Sequence, residues 1–276
     1  MQIALTGGSG RIGRAIAALA LEQGHHVVSI DRIEPTDISS QPKLSFVQAD
    51  VAQYEELERA FEGCDALIHM AAIPAPGRHP DHVVHNNNVV GSYNALRAAA
   101  QLGITRVCQA SSINAIGGAY SRWPRYDYFP LDEQHPTYNE DPYSLSKWIC
   151  EIQGDSFARR YAGMTIASLR FHGIAPDRAT AMQRVRGPGG ANAKHLWGYT
   201  RLDAAARGCM DAITADYKGH EVFYIVAPDT VMETPSHDLA RQFYPDVPVR
   251  NDLGGTQSFF DCTKAERLLH WTYDDK

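Results

Sequence analysis

Short apolar runs alternate with helical patterns along most of this chain. Gln2 to Leu5 reads as a strand, Arg11 to Gln23 as a helix, and His26 to Ile30 and Leu44 to Gln48 as strands. Tyr54 to Phe61 reads as a helix, Ala66 to Met70 as a strand, Asp81 to Leu102 as a long helix, and Arg106 to Ala110 as a strand. Pro142 to Tyr161 is a second long helix and Thr165 to Phe171 a further strand. Runs such as VVSI and ALIHM lack polar alternation, as strands covered on both faces do. The rhythm predicts an α/β fold: a doubly wound, mostly parallel, Rossmann-like sheet with helices on both faces. After residue 171 it loosens. Asp177 to Ala193 carries Gly187, Pro188, Gly189 and Gly190 among Arg178, Arg184 and Arg186, and reads as a mobile loop that either closes over an anionic substrate or is simply solvated. Thr200 to Ala215 is a helix with an alanine-rich face, and Pro235 to Phe243 and Thr263 to His270 are short helices. The expected division is a cofactor half over 1–175 and a small C-terminal substrate-binding lobe over 176–276, with a strand over 221–227 returning to the main sheet.

The turn after the first strand carries the first chemistry. Thr6-Gly7-Gly8-Ser9-Gly10-Arg11-Ile12-Gly13 opens the first helix, and its glycines satisfy both GxGxxG and GxxGxxG. Glycines here permit a tight turn, close approach of backbone N–H groups to a pyrophosphate, and close helix–strand packing. The helix N-terminus adds partial positive charge for the anion. Asp31 closes the second strand 18 residues beyond Gly13, where an acid holds the adenosine ribose hydroxyls. A carboxylate there repels a 2′-phosphate, so NAD is expected rather than NADP, although Arg32 stands beside it.

Tyr143-Ser144-Leu145-Ser146-Lys147 opens the second long helix, and the i, i+4 spacing puts Tyr143 and Lys147 on one face. A tyrosine of ordinary pKa, about 10, is a poor base at neutral pH. A nearby ammonium and a positive nicotinamide ring stabilise its phenolate and lower that value. Ser112, ending Gln109-Ala110-Ser111-Ser112, is placed to orient the reacting oxygen.

On these residues the chain resembles the extended short-chain dehydrogenases/reductases of the NAD-dependent epimerase/dehydratase group. Ala49-Asp50-Val51, His69-Met70-Ala71-Ala72, Asn88-Val89-Val90-Gly91 and Ser168-Leu169-Arg170-Phe171 complete the match, which runs to about residue 175. The resemblance implies that Gly7, Gly10, Arg11, Ile12, Gly13, Asp31, Arg32, Asp50, Val51, Ala71, Ala72 and Phe171 contact the cofactor, together with Asn88, Tyr143 and Lys147. It implies that Asn88 holds Lys147 through a water in a proton relay. It also implies that Ser112 rather than Ser111 is catalytic, because Ser112 stands five residues before Gly117. The C-terminal half is most similar to uronate dehydrogenases and related sugar dehydrogenases, through the run His195-Leu196-Trp197-Gly198-Tyr199. Those enzymes grip the substrate carboxylate with an arginine where Lys194 stands here, and lysine lacks the bidentate fork. They also carry Asn-His after the two serines, where this chain has Ile113-Asn114. The expected substrate contacts are Ile73, Ser111, Ser112, Asn114, Tyr143, His172 and Lys194. The segment Tyr120 to Asp141 is long and aromatic and either walls the pocket or packs on itself.

Composition trims the alternatives. The chain has 276 residues, 44% apolar and 21% charged, with a net charge of -6, so disorder is excluded and nucleic acid and anionic membranes are poor partners. No apolar run approaches the roughly 18 residues of a membrane span, and the start lacks the basic flank of a signal peptide. Five scattered cysteines without a CxxC pair point to a reducing cytoplasm. His79, His82 and His85 recur at three-residue steps, but no acid or cysteine cluster completes a metal site, so none is expected. His69 is expected to be a packed core histidine. The expected activity is hydride transfer from a hydroxyl of a sugar or sugar acid to NAD, giving a lactone if the carbon is anomeric. The rivals are a nucleotide-sugar epimerase or dehydratase that retains its NAD, and a catalytically silent NAD sensor. Through the resemblance the two long helices are expected to form a homodimer interface, with Ile152, Phe157 and Tyr161 either on it or against the sheet.

Overall fold

The computed structural model describes residues 1–35, 41–185 and 187–274. Its centre is a seven-stranded sheet built from β1 (Gln2–Thr6), β2 (His26–Asp31), β3 (Leu44–Gln48), β4 (Ala66–His69), β5 (Arg106–Ser112), β6 (Thr165–Phe171) and a late strand, Gly219–Ile225. The spatial order is β3-β2-β1-β4-β5-β6 and then the late strand, and every neighbouring pair is parallel. The late strand starts and ends two residues earlier than expected. The chain winds outward one way from β1 and then the other way from β4, so a crevice opens between the C-terminal ends of these two strands.

Helices cover both faces. α1 (Arg11–Glu22) lies on one, joined later by α7 (Leu202–Thr214), whose Ala204, Ala205, Ala206 and Gly208 let it approach closely. α2 (Tyr54–Ala60), α3 (Asp81–Gln101) and α4 (Pro142–Arg160) lie on the other. Between α4 and α7 the stretch expected to be a mobile loop forms two short helices, α5 (Arg178–Met182) and α6 (Ala191–Lys194). The Asp177 side chain caps the first by accepting from Thr180 N at 2.7 Å, a local signal that the glycines outweighed in the sequence. Arg178 is half-buried and engaged within the chain: it pairs with Asp229 at 2.8 Å and donates to the Thr230 and Met232 carbonyls. Arg186 lies outside the described residues.

The strands β7 (Ile174–Ala175) and β8 (Thr200–Arg201) pair in a second small sheet, and the late strand becomes β9 in chain order. α8 (Ser236–Phe243) and α9 (Thr263–Leu269) follow. The aromatic 120–141 segment mostly packs inward. Tyr126 and Phe129 are buried with Trp197, Tyr244 and Phe259 in the core of the C-terminal part, while Trp123 is 76% exposed.

One buried ion pair fastens α4 to the sheet. Glu151 receives two bonds from Arg170 of β6, each 2.8 Å, and a third from the Ser111 hydroxyl of β5. Arg170 also donates to Tyr224 of β9 at 3.2 Å. Bidentate geometry and added hydrogen bonds are what allow such a pair to sit out of water. Two histidines at strand ends are buried and neutral. His69 is held by Thr6 at 2.8 Å, and burial, with the Lys147 charge, pushes its pKa to about 3. His172 is also lowered to about 3, first by burial and then by His195. Its Nδ1 accepts from Gly173 N at 2.6 Å, so Nε2 carries the proton and donates to the His195 carbonyl at 2.8 Å.

Two predictions follow from these buried groups. Glu151→Ala strands the Arg170 guanidinium and should cost about 3–5 kcal/mol in urea unfolding, whereas Glu151→Met with Arg170→Met should cost much less. A loss below about 1 kcal/mol for the single change would contradict the pair's role. The depressed histidines make acid destabilising: above about pH 6.5 both states are neutral, and below it the unfolded chain binds the extra protons until the folded values near 3 are reached. Each should therefore remove about 2 kcal/mol by pH 5, and His172→Gln should shallow this acid limb; an equally steep limb in that variant would contradict the assignment.

Candidate active site

The glycine turn shapes the floor of the crevice. Gly7 has φ +69°, and a Cβ there would stand 2.7 Å from Ala71 N. At Gly13 a Cβ would meet the Gly7 carbonyl at 2.2 Å, so α1 could not come this close to the turn with any other residue. Gly7, Gly10, Arg11, Ile12 and Gly13 line a cavity of about 420 Å³ that extends over the ends of β5 and β6. A recess of about 180 Å³ continues from it toward β2. Asp31, Arg32, Val51, Ala71 and Ala72 line that recess, and the Asp31 carboxylate is aimed by bonds from Ser9 N and Arg32 N at 3.1 and 2.8 Å. A long cavity with a glycine floor at one helix N-terminus and an acid at one end fits a dinucleotide.

The cap of α4 sets the catalytic side. Asp141 accepts from Tyr143 N at 3.0 Å and Ser144 N at 2.9 Å, and Pro142 occupies the first turn. Tyr143 therefore enters the cavity from the first turn, with Lys147 one turn further along. Lys147 donates to the Ala110 carbonyl at 2.7 Å and lies 6.0 Å from the Tyr143 ring centroid. Ser112 ends β5, accepts from Asn114 N at 3.1 Å and lines the same cavity as the Tyr143 phenol. Burial raises the Tyr143 pKa, opposed by the Ser112 hydroxyl, and Tyr120 and Asp141 raise it further. Burial lowers the Lys147 pKa, opposed by Cys150 and Glu151. A phenol, a hydroxyl and a buried amine facing one cavity can hold an alcohol oxygen and move its proton.

Phe171, Asn114 and His172 line the same cavity, as expected of them. Ser111 also borders it, but its hydroxyl is spent on Glu151, which leaves Ser112 as the serine facing Tyr143. Other expectations are corrected. Lys194 does not line the cavity: its ammonium is drawn to the carbonyls of Ser121 and Arg122 at 2.8 and 3.1 Å, tying α6 to the 120–141 segment. Ile73 borders the recess rather than the catalytic cavity, because Asn88 holds its backbone N–H and carbonyl. The Asn88 side chain also accepts from Asn87 Nδ2 at 3.1 Å and donates to Ser146 at 3.0 Å. Asp50 accepts from Ala52 N at 2.9 Å, and its other carboxylate oxygen lies 4.0 Å from the guanidinium of Arg32, which lines the recess.

Tyr120 and His195 were missed by sequence reasoning, and both line the cavity. Tyr120 stands edge-on to Tyr143, with centroids 5.9 Å apart, and to His195 at 6.3 Å. Burial lowers the His195 pKa, so this wall is neutral. The run beginning at His195 and the aromatic segment beginning at Tyr120 each carried a hint in the sequence, but neither residue stood out as a site residue. Tyr120 sits in a loop with no periodicity to report its direction. No group of three or more potential metal ligands occurs among the described residues. No helix among them is long and apolar enough to cross a membrane.

Comparison with known proteins agrees with this geometry. A Methanocaldococcus jannaschii protein with a provisional UDP-glucose 4-epimerase name is 31% identical over 180 residues, 64% of this chain and 57% of that protein. The NAD-dependent dTDP-6-deoxy-L-talose 4-dehydrogenase of Aggregatibacter actinomycetemcomitans is 27% identical over 180 residues, 64% of this chain and 63% of that enzyme. The chain thus spans a little over half the length of the curated relatives it matches. The glucuronic acid dehydrogenase of Chromohalobacter salexigens shares the fold, with a TM-score of 0.72 over 100% of this chain and 85% of that one at 21% identity. The profile of the NAD dependent epimerase/dehydratase family matches residues 3–187. With its glycine turn, Asp31 and the Ser112–Tyr143–Lys147 group on one crevice, this chain belongs to the NAD-dependent epimerase/dehydratase family.

Proposed function

We propose that the chain oxidises a hydroxyl of a single sugar ring with NAD, residues 1–175 holding the cofactor and 176–276 shaping the substrate side. The observation that carries this is the convergence of Ser112, Tyr143 and Lys147 on a cavity that also contains the glycine turn. Bound NAD supplies the hydride acceptor. The chain's own residues do the rest. Ser112 orients the alcohol oxygen, the Lys147 ammonium stabilises the Tyr143 phenolate, and that phenolate takes the alcohol proton and becomes the neutral phenol as hydride leaves for the bound NAD. Burial raises the Tyr143 pKa and the Ser112 hydroxyl opposes it; the Lys147 ammonium, 6.0 Å from the ring centroid, adds a positive charge that favours the phenolate able to accept the alcohol proton.

Size and charge favour a small substrate. The cavity of about 420 Å³ and a side chamber of about 260 Å³ must take the nicotinamide end as well as the substrate, which disfavours a nucleotide sugar. Lys194 is tied to the Ser121 and Arg122 carbonyls, which removes the cation expected to meet a uronate carboxylate. The epimerase reading keeps the same residues and is supported by the archaeal relative's name. The five cysteines are free, in keeping with a cytoplasmic location.

A homodimer through α3 and α4 is part of this reading. Val90 and Tyr93 of α3 and Ile152 of α4 are exposed, Ile152 by 45%, whereas Phe157 packs into the core beneath Tyr93 and Tyr161.

Tyr143→Phe should lower turnover by about a thousandfold while NAD affinity stays within about twofold. A screen of aldoses, uronates and nucleotide sugars, read as NADH formed, should find aldoses turned over; activity confined to nucleotide sugars would overturn the proposal. Val90→Lys with Ile152→Lys should convert a dimer to a monomer in sedimentation velocity, and a wild-type monomer would remove the interface.

A further inference from the structure

Two arginines from distant parts of the chain meet on one carbonyl oxygen. Arg11, at the start of α1, donates to the Ile174 carbonyl at 2.9 Å. Arg184, just beyond α5, donates to the same oxygen at 2.9 Å. The two donor nitrogens are therefore no more than about 6 Å apart, a separation at which like charges repel appreciably. Among the described residues neither guanidinium has a carboxylate within salt-bridge reach. Neighbouring arginines of the C-terminal part differ: Arg178 pairs with Asp229, and Arg201 with Asp203 and Asp274.

The meeting point is the border of the crevice. Arg11 and Ile174 line the catalytic cavity beside the glycine turn, and Arg184 lines the adjoining chamber. One carbonyl carries only a partial negative charge and takes one N–H from each guanidinium, so most of their donors and nearly all of their positive charge remain to be satisfied. A diphosphate carries two negative charges and several acceptor oxygens. The glycine turn that cradles such a group begins four residues before Arg11.

We infer that Arg11 and Arg184 form a two-arginine clamp for the diphosphate of NAD, with Arg184 reaching from the C-terminal side of the crevice. The inference rests on NAD as the cofactor and is independent of the sugar proposed above. It gives Arg184 a task distinct from gripping a substrate anion, to which it would be accessible through the chamber.

Binding, not turnover, tests it. NAD, ADP-ribose and adenosine are titrated calorimetrically into the wild-type protein, Arg184→Gln and Arg184→Lys. ADP-ribose keeps the diphosphate without nicotinamide, and adenosine lacks it. Arg184→Gln should weaken NAD and ADP-ribose about tenfold and leave adenosine unchanged, with the deficit shrinking at high salt. Arg184→Lys should recover part of the loss, because charge is kept and the fork is not. Unchanged affinity for NAD and ADP-ribose in Arg184→Gln would overturn the clamp, as would an equal loss for adenosine. A rise confined to the KM of an anionic substrate would also overturn it and assign Arg184 to that substrate.

Discussion

The carboxylate of Glu151 is the point at which the second long helix is fixed to the sheet. It accepts from Ser111 on β5 and from Arg170 on β6, so a single buried group sets α4 against two strands at once. Lys147 lies one helical turn before it and Tyr143 two turns before it. That docking brings the Lys147 ammonium onto the Ala110 carbonyl and the Tyr143 phenol beside Ser112. A helix free to slide by one residue would break all of these contacts together. The catalytic geometry thus depends on a charge pair that touches no ligand and whose isolation from water is made tolerable by its own hydrogen bonds.

The titratable groups of the site built on this anchor are buried and largely neutral. His69 and His172 are held uncharged, His195 is lowered, and Tyr143 is raised by its burial. Lys147 is the buried amine within this group, and desolvation lowers its own pKa. Low local polarity magnifies whatever charge is introduced, so a positive group arriving near Tyr143 acts strongly on the phenol. The remaining positive charge, Arg11 and Arg184, stands at the crevice mouth where an anionic ligand part would lie.

Much of this was legible in the sequence for physical reasons. Strands buried on both faces announce themselves as unbroken apolar runs, and the glycines at 7 and 13 are demanded by contacts that a Cβ would break. The i, i+4 spacing reports Tyr143 and Lys147 because a helix converts sequence spacing directly into direction. What was not legible lies in segments without periodicity. Nothing in the sequence says that Lys194 turns to the Ser121 and Arg122 carbonyls, that Tyr120 leans on Tyr143, or that Asn88 spends its amide on Ile73. The helices at 178–182 and 191–194 were masked by glycines and a proline that fall between them rather than within them.

On the proposed reading, the buried Lys147 charge makes Tyr143 a usable base despite its burial. The most direct measurement is the pH dependence of kcat/KM for the wild-type protein and for Lys147→Met with saturating NAD. The account predicts a basic-side rise governed by one group titrating well below 10 in the wild type, displaced upward by about one unit or more without the amine. The same apparent pKa in both proteins would contradict it.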